Sequence, residues 1–366
     1  MSSVHSLRQE KTLVLPLIVA VAGLALEHEI LALGPAISVV AAVVLIGAIV
    51  VASLRIAHHA EVLAVKVGDP YGTMILTLSA VMVEVLILAI MMSGESSPTL
   101  VRDTIYSAVM LDINGILGLA ALLGGLKHGE QPYNDDSGKT YGVMILTAMG
   151  ISMVVPEFIP VEKWQYYSFF TIFAMIALYG LFLRMQVGTH SYFFSYSYPR
   201  TQQRRQEERE PEGENEPATL SIAVIVAGVV LIGVLAELMS VFLNVGLKDV
   251  GAPVALTAIL VAAISAGPEI LTALRAALAD RMQATVNIAM GASLSTVILT
   301  VPVMEAIALS TGQPFVMAMS PVQTVMIAIT LIAAAINLND GETNAIEGMT
   351  HFILFATFIM LSFLGL

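Results

Sequence analysis

Residues 251–271 read GAPVALTAILVAAISAGPEIL, and residues 68–88 read GDPYGTMILTLSAVMVEVLIL. Each begins Gly-x-Pro, continues as an apolar stretch dotted with Thr or Ser, and carries one glutamate deep inside. From proline to glutamate there are 16 residues in one copy (Pro253 to Glu269) and 14 in the other (Pro70 to Glu84). The following segments, TIYSAVMLDINGILGLAALLGG from Thr104 and ATVNIAMGASLSTVILTVPV from Ala284, are both rich in small and polar residues. The recurrence points to an internal repeat. A carboxylate inside each apolar stretch then needs a physical reason.

Composition supplies the setting. Of 366 residues, 57% are hydrophobic and only 12% charged, with a mean hydropathy of +0.86. A soluble domain carries roughly twice that share of charge, so the chain reads as an integral membrane protein. It has no cysteine, which excludes disulfides and thiol chemistry. The start, MSSVHSLRQEKT, leads into an apolar segment without a small-residue cleavage site, so no cleaved signal peptide is expected. The net charge of -12 is not the footprint of a nucleic-acid binder.

A helix needs about 20 apolar residues to cross a bilayer. Eleven runs qualify, at about 13–27, 35–57, 73–93, 104–126, 141–160, 166–187, 219–245, 252–278, 284–311, 320–338 and 346–365. The fold class is therefore all-α integral membrane. Its domains read as 1–34 (N-terminus and first helix), 35–187 (first repeat, helices 2–6), 188–218 (a charged, mobile linker) and 219–366 (second repeat, helices 7–11). With the N-terminus in the cytoplasm, thirteen of the sixteen Lys and Arg residues fall inside and only Arg102, Lys163 and Lys248 outside. Corresponding spans lie five apart, an odd number, so the halves cross the membrane in opposite directions. Inverted repeats of this kind are a common plan of secondary transporters, with the binding site near the midplane.

A carboxylate at the bilayer centre costs at least about 2.5 kcal/mol. It is tolerated with a basic partner, a cation or a bound proton. No Lys or Arg lies in mid-span to pair with Glu84 or Glu269, which leaves cation or proton. A site that takes one or the other is an exchanger in its simplest form. Calcium takes six to eight oxygens. Two glutamates supply up to four, and backbone carbonyls and hydroxyls can supply more. Gly267-Pro268 interrupts the helix beside Glu269 and frees carbonyls there. Ser265 adds a hydroxyl, and Thr77 and Ser79 precede Glu84.

Asp112 and Asn114 in the fourth run, with Asn287 and Ser293 as counterparts in the ninth, are candidates to line the path. Small hydroxyl residues also ease helix packing. Glu237 in the seventh run is an auxiliary ligand or a packing residue. His58, His59 and Glu61 read as solvated or pH-sensing residues at a cytoplasmic boundary, and His351 as a packed histidine. A protease or hydrolase reading finds no support: HEILA at His28 lacks the second histidine of a zinc motif, and there is no Gly-x-Ser-x-Gly.

The stretches GDPYGTMILTLSAVMVEV, AELMSVFLN and GAPVALTAILVAAISAGPEILTAL resemble the two α-repeats and seventh helix of the cation/proton exchangers. These are a branch of the calcium/cation antiporter superfamily, and the stretches resemble its bacterial ChaA type. The resemblance runs from about Arg55 to the C-terminus. It implies eleven helices, an extra first one before two five-helix inverted repeats. It also implies that Glu84 and Glu269 bind the transported cation and exchange it for protons, and that Glu237 matches an acidic position of the seventh helix. Gly291 and Ser293 lie near the family's Gly-Ser motif. Many members carry Gly-Asn before each glutamate and a histidine after the second. Here Ala80-Val81 and Ala266-Gly267 stand before them and Ile270 follows, so the resemblance implies sodium and potassium transport beside calcium.

The expectation is thus an antiporter of a bacterial inner membrane, not an enzyme, exchanging cytoplasmic Ca2+, with Na+ and K+, for external protons. A Na+(K+)/H+ antiporter with calcium as a minor substrate is the alternative, and a passive cation channel a distant one. Its partners are inorganic cations, protons and the lipid bilayer, with room for a homo-oligomer and no cofactor.

Overall fold

Within a bilayer no water satisfies the backbone, so apolar runs of this length must close their hydrogen bonds internally as helices. The structure, a computed structural model, describes residues 11–67, 71–93, 97–196, 217–247, 254–312 and 316–366, less a few helix side chains that include Glu61 and Thr77. Its helices are α1 (Lys11–Ala32), α2 (Pro35–Val67), α3 (Tyr71–Ser93), α4 (Leu100–His128), α5 (Asp135–Phe158) and α6 (Val161–Val187). Then come α7 (Ala218–Leu247), α8 in two halves (Val254–Ser265 and Gly267–Leu278), α9 (Met282–Thr311), α10 (Pro321–Asn337) and α11 (Ala345–Phe363).

Among the described residues, eight of these are long and apolar enough to cross a membrane, and the halves of α8 form a ninth, bent span. The remaining two, α3 and α10, contain shorter apolar stretches, Leu78–Met92 and Pro321–Asn337. The chain is a multi-pass membrane protein, and its helices coincide with the eleven apolar runs. Two helices extend well past their apolar runs. Helix α1 continues through Glu27, His28 and Glu29 to Ala32, and α2 continues through His58 and His59 to Val67. Polar residues end an apolar run, but they do not end a helix whose backbone bonds remain satisfied.

Packing divides the described helices into two compact units. The first holds α1, α2, α3 and α7. Its main seam is α7 against α2, with α1 and α3 alongside. Small residues let this seam close, since a Cβ built on Gly228 would stand 2.7 Å from Ile56 Cγ1. The second unit holds α4 to α6 and α8 to α11. There α4 and α11 cross so closely that a Cβ on Gly348 would meet the Leu122 nitrogen at 2.1 Å. Each half of the sequence, 35–187 and 219–366, contributes helices to both units.

Two-residue strands β1 (Gln131–Pro132) and β2 (Glu342–Thr343) pair antiparallel at one end of the second unit. At that end Gln131 Nε2 and Lys127 Nζ donate to the carbonyls of Ala277 and Leu278, satisfying the last turn of α8. Of the predicted linker, 197–216 lie outside the described residues. Its first part is docked rather than mobile. Asn134 Nδ2 and Asn287 Nδ2 donate to the carbonyls of Tyr192 and Phe194, both at 2.8 Å, and the Phe194 ring packs on Tyr141.

Candidate functional site

Helix α8 breaks where the sequence says it should. The halves meet at Ala266 with a 60° bend. The cause is local. Pro268 has no N–H, so the Ile264 carbonyl loses its ordinary helical donor, and the proline ring crowds the same carbonyl. Pro268 instead takes a place in the first turn of the second half, where a missing N–H costs nothing. Glu269 follows it in that first turn. Its charge therefore sits at a helix N-terminus, where the helix dipole favours an anion. Glu269 Oε2 is buried with no hydrogen-bond partner among the described residues. Ser265, at the end of the first half, donates its hydroxyl proton back to the Ala262 carbonyl at 3.0 Å, leaving the oxygen lone pairs for another ligand.

Helix α4 supplies the surface behind this break. The first half of α8 packs on the start of α4, Leu100–Met110, and the second half on its end, Gly118–His128. Between those stretches α4 widens into π-helical turns over Leu111–Leu117, and the second half of α8 touches these too. A π segment inside an α-helix often marks a functional place. This one carries Asp112 and Asn114. Asp112 is 2% exposed and accepts from Ser293 Oγ of α9 at 3.3 Å. Asn114 is fully enclosed. Its Nδ2 donates to Thr330 Oγ1 of α10 at 2.7 Å, and its Oδ1 accepts from His351 Nδ1 of α11 at 2.8 Å. Asn114 is thus a junction of three helices, and His351 is packed as expected but hydrogen-bonded as well. The counterpart α9 has its own π turn at Thr296–Thr300.

The structure thus brings Glu269, Ser265 and Gly267 to the break in α8, and Asp112 and Ser293 together between α4 and α9. Asn287 lies elsewhere on α9. It accepts from Gln283 Nε2 at 2.9 Å and holds the Phe194 carbonyl near the β1–β2 end.

Glu84 belongs to the first unit. It lies on α3, is 4% exposed, and is flanked by buried Val81, Val83, Ile87 and Leu88. Helix α3 runs unbroken through it. Ser79 is also buried on α3. The Thr77 side chain lies outside the described residues, as do Gly68, Pro70, Gly251, Pro253 and the Glu61 side chain. Glu237 is exposed on α7 between buried Ala236 and Leu238. His59 departs from expectation. It is 0% exposed, with Nδ1 at 3.2 Å from Ser221 Oγ of α7, so it belongs to the α2–α7 seam and not to a solvated boundary.

Sequence reasoning missed Glu305. It lies on α9 within VPVMEAIALS, is 2% exposed, and has a buried Oε2 with no hydrogen-bond partner among the described residues. The signal was present, a lone carboxylate in an apolar run, but it lacked the Gly-x-Pro frame that drew attention to the other two.

Comparison with known proteins agrees with this architecture. The family model described as sodium/calcium exchanger protein matches residues 12–188. The sodium-potassium/proton antiporter ChaA of Escherichia coli (strain K12) is 33% identical over 331 residues, covering 90% of each chain. A Ca2+/H+ antiporter of Aphanothece halophytica is 25% identical over 316 residues, 82% of this chain and 83% of that protein. Among solved structures, native YfkE superposes with a TM-score of 0.74 at 18% identity, covering 95% of this chain and 99% of that one, which is a likeness of fold. With 33% identity to ChaA over nine-tenths of each chain added to a plan of eleven apolar helices, the chain belongs to the cation/proton exchangers of the sodium/calcium exchanger family.

Proposed function

We propose that this protein is a secondary antiporter of a bacterial inner membrane that moves Ca2+, Na+ or K+ out of the cytoplasm against entering protons. The observation that carries the reading is Glu269, a carboxylate with one buried oxygen that has no hydrogen-bond partner among the described residues, at the N-terminus of a half-helix created by Gly267-Pro268. Such a group is stable only when a cation or a proton occupies it. The cation is cargo, so the site must release it, and two carboxylates with carbonyls and hydroxyls do so more readily than a closed cage.

In the proposed cycle Glu84 and Glu269 are the carboxylates that take up cation and proton, Glu269 with the Ile264 carbonyl and the Ser265 hydroxyl beside it on α8, and Glu84 with Ser79 and Thr77 preceding it in the sequence of α3. Asp112 and Ser293 line the approach. Glu237, exposed on α7, attracts cations. Protons arriving from outside neutralise the carboxylates and release the cation. The site then returns carrying protons, and their loss to the cytoplasm resets it. The Lys and Arg bias supports a cytoplasmic N-terminus.

A second reading has its own support. The E. coli relative is named for sodium, potassium and protons, and this chain has Ala80-Val81 and Ala266-Gly267 beside its glutamates, with no added side-chain oxygen. In that reading calcium is the minor substrate. Everted vesicles with a respiration-driven pH gradient decide between them. A fluorescent pH probe is followed after CaCl2, NaCl or KCl is added. The salt that collapses the gradient names the substrate, and a gradient undisturbed by every salt rejects antiport.

A further inference from the structure

Glu305 has no part in the cycle above, and its surroundings are unlike those of a packing residue. It lines a cavity of about 530 Å³ between the ends of α5, α6 and α9. The Ser168 hydroxyl of α6 donates to its carboxyl. The other oxygen, Oε2, is buried and has no hydrogen-bond partner among the described residues. The rest of the lining includes Glu157, Trp164, Tyr167 and Ala318. Glu157 is exposed, so one carboxylate stands in the open and another inside the same cavity.

The neighbouring groups cannot neutralise Glu305. Among the described residues, no Lys, Arg or His lines the cavity. The Tyr167 hydroxyl is committed to the Ile151 carbonyl of α5 at 2.7 Å. Behind Ala318, Arg102 of α4 donates to the Ala318 carbonyl at 2.8 Å and to Asp103 Oδ1 at 2.7 Å, so its charge is matched. A calcium ion needs about six to eight oxygens, more than two carboxyls and a serine can arrange here. A proton needs only one, and it would complete Oε2 without any rearrangement.

We propose that Glu305 is a second proton-binding carboxylate, loaded from the outer medium through this cavity. It is distinct from the cation site. Ser293, which bonds Asp112, precedes Glu305 by 12 residues on α9, roughly 18 Å of helix rise. The Lys and Arg bias puts this end of α9 outside, the side from which an antiporter of this kind draws its protons. The direction of loading rests on the antiport reading. The binding of a proton does not.

The test uses purified, full-length protein. Trp164 is the sole tryptophan and lines the cavity, so its fluorescence reports on charge there, and infrared difference spectra across a pH titration report the carbonyl stretch of a neutral carboxyl. The titrations are made in a Glu84→Gln, Glu269→Gln background, so that the cation-site carboxyls add no band. A fluorescence step and a carboxyl band present in that background and with Glu157→Gln added, and both lost when Glu305→Gln is added, are expected. Persistence of the band with Glu305→Gln, or its absence from the background protein, overturns the proposal. Glu305→Asp keeps the carboxyl and should keep the band, which separates titration from a packing effect. In vesicles, Glu305→Gln should still exchange but respond less to outer pH. If wild type itself fails to exchange, the antiport reading is lost while the spectroscopic result stands.

Discussion

Helices α3 and α8 each carry one glutamate behind a Gly-x-Pro start, Glu84 buried and Glu269 half-buried with its Oε2 enclosed, yet one helix runs straight through and the other breaks. Val81, Met82 and Val83 precede Glu84, and all three have a backbone N–H to give, so α3 continues from Tyr71 to Ser93. Gly267 and Pro268 precede Glu269, and the helix bends by 60°. The two glutamates are equivalent in sequence but not in what the backbone offers beside them. Around Glu269 a carbonyl has lost its donor and a helix N-terminus faces the charge. Around Glu84 a continuous helix offers no spare carbonyl, so side chains must do more. The glutamates also belong to different packing units.

The sharpest way to break this comparison is to remove each carboxylate in turn. Glu269→Gln and Glu84→Gln should each reduce cation-dependent proton flux in vesicles by about a hundredfold or more, or ~2.7 kcal/mol. The isosteric amide keeps volume and removes charge, so both proteins should still insert. Unequal losses would show that only one glutamate is essential. Normal flux in either variant would remove that glutamate from the site.

The break itself comes next. Pro268→Ala restores a donor to the Ile264 carbonyl and should straighten α8, raising thermal stability while lowering flux about tenfold. Val83→Ala, the matching position before Glu84, should change flux little because α3 is already continuous. If Pro268→Ala transports normally, the bend is a packing feature and the freed carbonyl is no ligand. A smaller effect is expected from Ser293→Ala. It leaves Asp112 without the 3.3 Å bond that spans α4 and α9 and should cost about threefold in flux.

How far the sequence could carry this reading depends on the range of the forces involved. Span number and the α8 break were legible, because bilayer thickness and a missing proline N–H act within one segment. The burial of His59 was not, because its partner Ser221 lies 162 positions away and only the α2–α7 packing joins them. The same holds for Asn114, which meets Thr330 and His351 across 216 and 237 positions. The π turns of α4 and α9 have no counterpart in any local pattern of the sequence. Glu305 was within reach, since a carboxylate amid Val301–Ser310 is as costly as one in α3. Looking only for repeated motifs passed over it.

The smallest prediction separates the two helices by their hydroxyls. Ser265 already gives its proton to the Ala262 carbonyl, and its oxygen is one of several beside the break. Ser265→Ala should therefore weaken apparent cation affinity only about twofold, because the freed carbonyl remains. Ser79 is buried on a helix that runs without a break past Glu84, so its hydroxyl is harder to replace. Ser79→Ala should cost more, about fivefold, measured as the half-maximal CaCl2 or NaCl concentration for collapse of the gradient. The order matters more than the sizes. If Ser265→Ala proves the costlier change, then the break does not compensate for a lost hydroxyl, and the contrast between the straight and the broken helix has no bearing on how the cation is held.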